Sequence, residues 1–340
     1  FLAESMLLSG KADLVAMGRA SLADPDLPNK FAQGQSDDIR HCIGCQQGCL
    51  EILFKNEPIR CLVNPVLGFE YLNEFKKTDN PKKITVVGGG PAGLEAARTA
   101  ALAGHRVTLY EKTDHLGGQF AVAAIPPSKG DLSAIVSWLA HQVKKLGVNV
   151  IFDTEYTSEI CTRENPDLVI VATGSVHCTP KITGIDRENV VTATEVLLGK
   201  VSTKDKVVIA GGGQVGCETA VYLASLGKQV TIVEMLPTLA SDEELTRRIF
   251  LMKAIKDSDI ECFTETKIKG IDVECVQCET CNKPIEITAE TVVLALGMQP
   301  VNTLAKELDG KVPIKVIGDA VEARDALEAI REGFLAASQA

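Results

Sequence analysis

Short apolar runs that stop at glycine, followed by alanine-rich stretches, recur along most of the chain. Lys83-Ile-Thr-Val-Val87 runs straight into Gly88-Gly-Gly90-Pro-Ala-Gly93. Leu94–Ala103 after it is helix-forming and stops at Gly104, a C-cap residue type. Arg106-Val-Thr-Leu-Tyr110 then reads as a second strand and ends in Glu111. The same order returns at Lys206-Val-Val-Ile-Ala210, Gly211-Gly-Gly213-Gln-Val-Gly216, a helix through Leu226, and Gln229-Val-Thr-Ile-Val233 capped by Glu234. Leu168–Gly174 and Val292–Gly297 are buried-type strands that each end in a glycine turn, and Val316-Ile-Gly-Asp319-Ala320 is a strand with an Asp at its end. Asp131–Leu146 places Leu132, Ile135, Val136, Leu139, Val143 and Leu146 at helical spacing, which predicts a packing helix with Trp138 in the core or at an interface. Near the N-terminus, Phe1–Leu8 is helix-like and Ala12–Met17 is strand-like, followed by Gly18-Arg19. Strands alternating with helices make this an α/β chain with parallel sheets.

A strand, a GxGxxG turn, a helix and an acidic residue at the next strand end together form a dinucleotide fingerprint. The glycines let pyrophosphate approach the helix N-terminus, and the carboxylate takes the ribose hydroxyls. The chain carries this fingerprint twice. Two dinucleotides are expected, a flavin and its nicotinamide reductant. Met235, Leu236 and Pro237 after Glu234 offer no cation for a 2′-phosphate, so the nicotinamide is expected to be NADH.

The 340 residues are 45% hydrophobic and carry a net charge of −10, which argues against nucleic acid as a partner. No run is apolar and long enough to span a bilayer, and the opening residues lack a signal peptide's basic start. A cytoplasmic protein is expected. Phe1 in place of Met, in what reads as mid-domain sequence, predicts a C-terminal part of a longer protein.

Eleven cysteines without an export signal argue against a disulfide framework. Cys42, Cys45, Cys49 and Cys61 follow C-x2-C-x3-C-x11-C, with Gly44 and Gly48 in the turn. Three thiolates on one loop and a fourth returning later suit an iron–sulfur cubane, whereas zinc prefers two separated C-x2-C pairs. Zinc and plain buried thiols remain the competing readings at this point. Cys275, Cys278 and Cys281 fall between strand-like Ile268–Val273 and Ile285–Thr291, where a solvent-facing hairpin turn with incidental thiols is expected over a metal site. Cys161, Cys178, Cys217 and Cys262 read as small core residues. None of the five histidines shows ligand spacing, and polar Asn73–Lys83 reads as a linker.

The motif order resembles the glutathione-reductase-type flavoproteins, in which an NAD(P) domain is inserted into the FAD domain. That resemblance implies FAD contacts at Gly88, Gly90, Gly93, Glu111, Gly118, Gln119, Thr173, Gly174, Gly318 and Asp319, and NAD contacts at Gly211, Gly213, Gly216, Glu234 and Gly297. With CIGCQQGC and CLVNP added, the chain closely resembles the NADH:flavin oxidoreductase family of 2,4-dienoyl-CoA reductase, enoate reductase, bile-acid-inducible reductases and trimethylamine dehydrogenase. In that family an FMN-bearing TIM barrel precedes a [4Fe–4S] segment held by the positions of Cys42, Cys45, Cys49 and Cys61. Electrons run from NAD(P)H through FAD and the cluster to FMN, and then to an activated C=C bond.

The resemblance divides the chain into a barrel remnant (1–35), a cluster segment and linker (36–80), a discontinuous FAD domain (81–197 and 298–340) and an NAD(H) domain (198–297). It places Gly18 and Arg19 at the FMN phosphate and implies an unsaturated acid or acyl-CoA substrate in the barrel, so no catalytic residue is assigned. Self-association is left open. Gln46 stands where the family commonly has asparagine. The competing functional readings are an amine dehydrogenase of the trimethylamine type and a non-catalytic electron-transfer module.

Overall fold

A computed structural model describes residues 1–72 and 77–340. The apolar runs become strands β1 (Lys83–Val87), β2 (Arg106–Tyr110), β3 (Asn149–Ile151) and β4 (Leu168–Val171), then β5 (Ser175–His177), β6 (Val190–Thr192), β7 (Lys206–Ala210), β8 (Gln229–Val233) and β9 (Glu261–Phe263). β10 (Thr266–Ile271), β11 (Cys275–Thr280), β12 (Lys283–Thr288), β13 (Thr291–Leu294), β14 (Met298–Pro300) and β15 (Ile314–Val316) follow.

Two five-stranded parallel sheets carry the architecture, in the orders β15-β4-β1-β2-β3 and β6-β13-β7-β8-β9. Their central strands are buried on both faces, which is why they are continuous apolar runs and do not alternate. In each sheet the strand order reverses beside the first strand of the fingerprint, between β1 and β4 and between β7 and β13. Ligand crevices of open α/β sheets lie at such reversals, outside the C-terminal strand ends. The antiparallel pair β5–β14 joins the chain leaving the first unit to the chain returning to it.

The second sheet begins before residue 198, because β6 pairs with β13. β10, β11 and β12 form a three-stranded antiparallel sheet. This corrects the turn expected at Cys275–Cys281. Cys275 and Cys278 lie inside β11, Cys278 is buried, and only Cys281 sits in the turn, where it and Asn282 are both left-handed. Cys275 and Cys278, three apart on one strand, face opposite sides, so the three thiols do not converge. Of the four cysteines expected in the core, Cys161 and Cys217 are buried, whereas Cys178 is only half-buried and Cys262 is exposed.

The strand expected over Ala12–Met17 does not form, and a helix starts at Gly18. A barrel strand needs hydrogen-bonded neighbours on both sides, and no strand among the described residues pairs there; Leu14 is 89% exposed. Part of the expected linker, residues 73–76, lies outside the described residues. The packing helix forms as Ser133–Lys145, with Ile135, Trp138, Leu139 and Val143 buried.

Candidate functional site

The first glycine turn is shaped by close approach. Gly88 has φ +109°, and a Cβ there would sit 2.2 Å from the carbonyl oxygen of Ala172, just past β4. A Cβ on Gly93 would lie 1.9 Å from the Gly88 oxygen. The second turn repeats this: Gly211 has φ +105° and faces Ala295 O at 2.3 Å, and Gly216 faces Gly211 O at 2.0 Å. The two acidic residues also do the same thing. Glu111 Oε2 accepts from the Gly89 N–H at 2.7 Å and Glu234 Oε2 from the Gly212 N–H at 2.6 Å, each bond spanning 22 residues. The other carboxylate oxygen takes Thr113 N–H (2.9 Å) in the first unit and Leu236 N–H (2.7 Å) in the second. Both carboxylates are buried and clamp the turn, a structural task in addition to the ribose contact expected of them.

The remaining residues expected at FAD gather around the first crevice. Gln119 Nε2 donates to the Ser175 carbonyl at 2.7 Å, and the Ser175 hydroxyl donates to Asp319 Oδ2 at 3.0 Å. Gly174 is left-handed and Thr173 donates its hydroxyl to the Val301 carbonyl. Gly318 is left-handed and donates its N–H to Glu332 at 2.7 Å, which places Asp319 in a one-turn 3-10 segment just beyond β15. Ser175 and Glu332 link these motifs and carried no sequence signal, because each is an isolated polar residue whose partners are far along the chain. The crevice has the features flavin dinucleotide binding requires: an open helix N-terminus, with nothing within 4 Å of a Cβ placed on Gly90, and polar groups converging beside it.

Gly297, left-handed and open, precedes β14, and its carbonyl accepts from Cys178 N–H at 3.0 Å.

Cys42, Cys45, Cys49 and Cys61 line a single cavity with Arg19, Leu22, Ile43, Gln46, Gly48, Leu62 and Val63. Gly48 is required where the two cysteine segments cross, since a Cβ there would meet Arg60 O at 2.6 Å. Among the described residues no three Cys, His, Asp or Glu side chains are gathered closely enough to hold a single metal ion as they stand. The four thiols lining one cavity match in number and kind the donors a [4Fe–4S] cluster would use, one to each iron. Burial pushes the Cys45 thiol up to about 11 and raises Cys61 as well. Binding of a metal there would displace the protons of these thiols. Arg19, expected at an FMN phosphate, opens on this cavity one residue into the helix begun by Gly18.

Gln46 is left-handed and reaches the second unit, where the Thr246 hydroxyl donates to its Oε1 at 2.7 Å. Within the cluster segment, half-buried Arg40 lies over the Trp138 ring at 4.6 Å, donating to the Val63 carbonyl (3.0 Å) and Asn64 Oδ1 (2.9 Å). Burial pulls Arg40 down to about 10, which leaves it charged at neutral pH.

Residues 82–321, more than half of the chain, match the pyridine nucleotide-disulphide oxidoreductase family. The chain belongs to that family. It is 43% identical to an NADH oxidase of Thermoanaerobacter brockii over 99% of this chain and 53% of the relative. It is 36% identical to a cinnamate reductase of Clostridium sporogenes over 98% of this chain and 50% of the relative. The structure of a 2-naphthoyl-CoA reductase superposes with a TM-score of 0.96 at 34% identity, covering all of this chain and 52% of the other. The chain thus spans about half the length of the relatives it matches, and the kinship with NADH:flavin oxidoreductases read from its motifs is borne out. Among the described residues no helix is long and apolar enough to cross a membrane.

Proposed function

We propose that this chain is the electron-input half of an iron–sulfur flavoenzyme that uses NADH to reduce an activated C=C bond of an unsaturated acid or acyl-CoA. The observation that carries the reading is the cavity shared by Cys42, Cys45, Cys49 and Cys61, set beside two fingerprint turns of matching geometry. When bound, FAD would accept an electron pair and release it singly, which suits a one-electron [4Fe–4S] carrier leading to FMN. The chain's own residues do the holding. The helix Pro91–Leu102 would present its N-terminal N–H groups to one dinucleotide, and Asp319 and Gln119 would meet its ribityl and flavin atoms. Glu234 would accept the adenine-ribose hydroxyls of the other, and its carboxylate would repel a 2′-phosphate. The names of the cinnamate and 2-naphthoyl-CoA reductases support the substrate class. The intact second turn favours NADH input over the amine-dehydrogenase reading.

Anaerobically purified protein should contain about four iron and four sulfide per chain. Adding NADH without oxygen should bleach the flavin and then raise the electron-spin signal of a reduced cluster. NADPH at equal concentration should do so much more slowly. Stoichiometric zinc without sulfide would remove the cluster from this account, and equal rates for the two nicotinamides would remove Glu234 as the selector.

A further inference from the structure

The two fingerprint turns differ in what is brought against Gly90 and Gly213. In the first unit Leu116 packs on the turn, where its Cδ2 would lie 2.7 Å from a Cβ on Gly89. Two residues later Gly118 rests against Gly90, with only 3.3 Å between an added Cβ and the Gly90 Cα. In the second unit Leu239 packs on the turn in the same way, 2.4 Å from a Cβ on Gly212. Where the first unit brings up a bare glycine, however, the second brings up Asp242. Its Oδ1 accepts the N–H of Gln214 at 2.8 Å, and its Oδ2 lies 3.2 Å from a Cβ on Gly213. Gln214 is the first residue of a twelve-residue helix, so the carboxylate holds one of the N–H groups that a dinucleotide's pyrophosphate would use.

The strap that delivers it is held down. Ala240 is fully buried, left-handed at φ +44°, and donates its N–H to the Gly212 carbonyl at 2.7 Å. Arg248 Nε donates to the Leu239 carbonyl at 3.0 Å, and Glu244 caps the helix Leu245–Asp257. An alanine in the left-handed region persists only where its surroundings impose it. Asp242 follows two residues later and is itself exposed.

We propose that Asp242 is a built-in carboxylate latch on the phosphate position of the second unit, which NADH must displace in order to bind. The proposal rests on the reading of that unit as the NADH site. A carboxylate at a helix N-terminus is stabilised by the dipole and free N–H groups, as a phosphate is. Two anions cannot share the position, so apparent dinucleotide affinity is lowered by the fraction of time the latch is closed. The flavin unit, with glycine at the corresponding place, carries no such penalty.

The test is calorimetric titration of the oxidised, cofactor-loaded protein with ADP-ribose, and with adenosine as a phosphate-free control. Asp242→Asn keeps an acceptor for the Gln214 N–H but removes the charge; Asp242→Ala removes both. ADP-ribose should bind about three- to tenfold more tightly to the variants, with adenosine unchanged and the KM for NADH lowered in parallel. If the wild-type protein binds ADP-ribose and neither variant binds it more tightly, the latch is refuted while the NADH reading stands. Equal tightening of adenosine would also refute it, since the effect would then not act on phosphate. Failure of the wild-type protein and both variants to bind ADP-ribose at all would overturn the NADH reading and the latch with it.

Discussion

At the scale of single residues, the glycines of the fingerprint divide into two kinds. Gly93 is needed by the fold, because any Cβ there would meet the Gly88 carbonyl at 1.9 Å. Gly90 has ordinary extended backbone at φ −75° and open space around it, so the fold tolerates a methyl at that position and only an approaching ligand would meet it. Gly93→Ala should therefore lower stability by more than ~2 kcal/mol and lose FAD with it. Gly90→Ala should keep the wild-type melting temperature of the flavin-free protein while releasing FAD more readily on dialysis. Thermal melts of the stripped proteins and flavin retention of the loaded ones separate the two roles. Matching behaviour of the two variants would show that this division of labour is wrong. Glu111→Ala should resemble the Gly93 variant more than the Gly90 variant, because its carboxylate also holds Gly89 and Thr113.

At the scale of elements, the flavin unit depends on how closely two helices meet. Ala326–Ser338 packs against Pro91–Leu102 through Gly333, where a Cβ would lie 2.3 Å from the Ala92 carbonyl and 3.2 Å from Ala96 N. Ala92 is in the first turn of the helix whose N-terminus faces the flavin crevice, so spacing at Gly333 sets where that N-terminus points. Gly333→Ala should cost ~1–3 kcal/mol through overpacking and weaken FAD retention, although residue 333 touches no expected ligand position. Unchanged flavin retention at a lowered melting temperature would show that the packing stabilises without positioning.

This contact also marks where the sequence stops being legible. Every strand that is a continuous apolar run bounded by glycine was readable, because a parallel strand buried on both faces leaves that local signature. β6 and β11 were not. β6 is an edge strand of only three residues, and β11 is studded with Cys, Gln and Glu, so neither shows an apolar run. The cysteine set and both glycine turns were legible because covalent spacing and backbone conformation are local. Ser175, Glu332, Thr246 and Gly333 were not, because each matters through a partner that only folding brings near.

At the scale of the whole molecule, the cluster segment must be fixed against the flavin unit, and Asp38 does much of the fixing. Its carbonyl accepts from Trp138 Nε1 at 3.0 Å, and its carboxylate receives Gln142 Nε2 at 2.9 Å, the Lys145 ammonium, and His141 Nε2 at 3.3 Å. All four partners lie on the helix Ser133–Lys145, which packs against the flavin-site helix. The Lys145 ammonium, with its hydrogen bond, holds the Asp38 carboxyl below its ordinary value of 3.8. A carboxyl depressed on folding adds stability that is fully present above the unfolded value and fades as pH falls through the folded one. Lys145 is half-exposed, so solvent screening limits the contribution to about 1 kcal/mol or less. Asp38→Asn should thus lower the melting temperature by a few degrees at neutral pH, and the gap to the wild-type protein should close as the pH drops below the ordinary carboxyl range. Limited proteolysis of the segment between residues 36 and 64 should accelerate in the variant at neutral pH and converge with the wild-type rate in acid. A gap that stayed constant across the titration would show that Asp38 acts through shape and not through charge. The cluster segment would then be docked chiefly by Arg40 and Trp138.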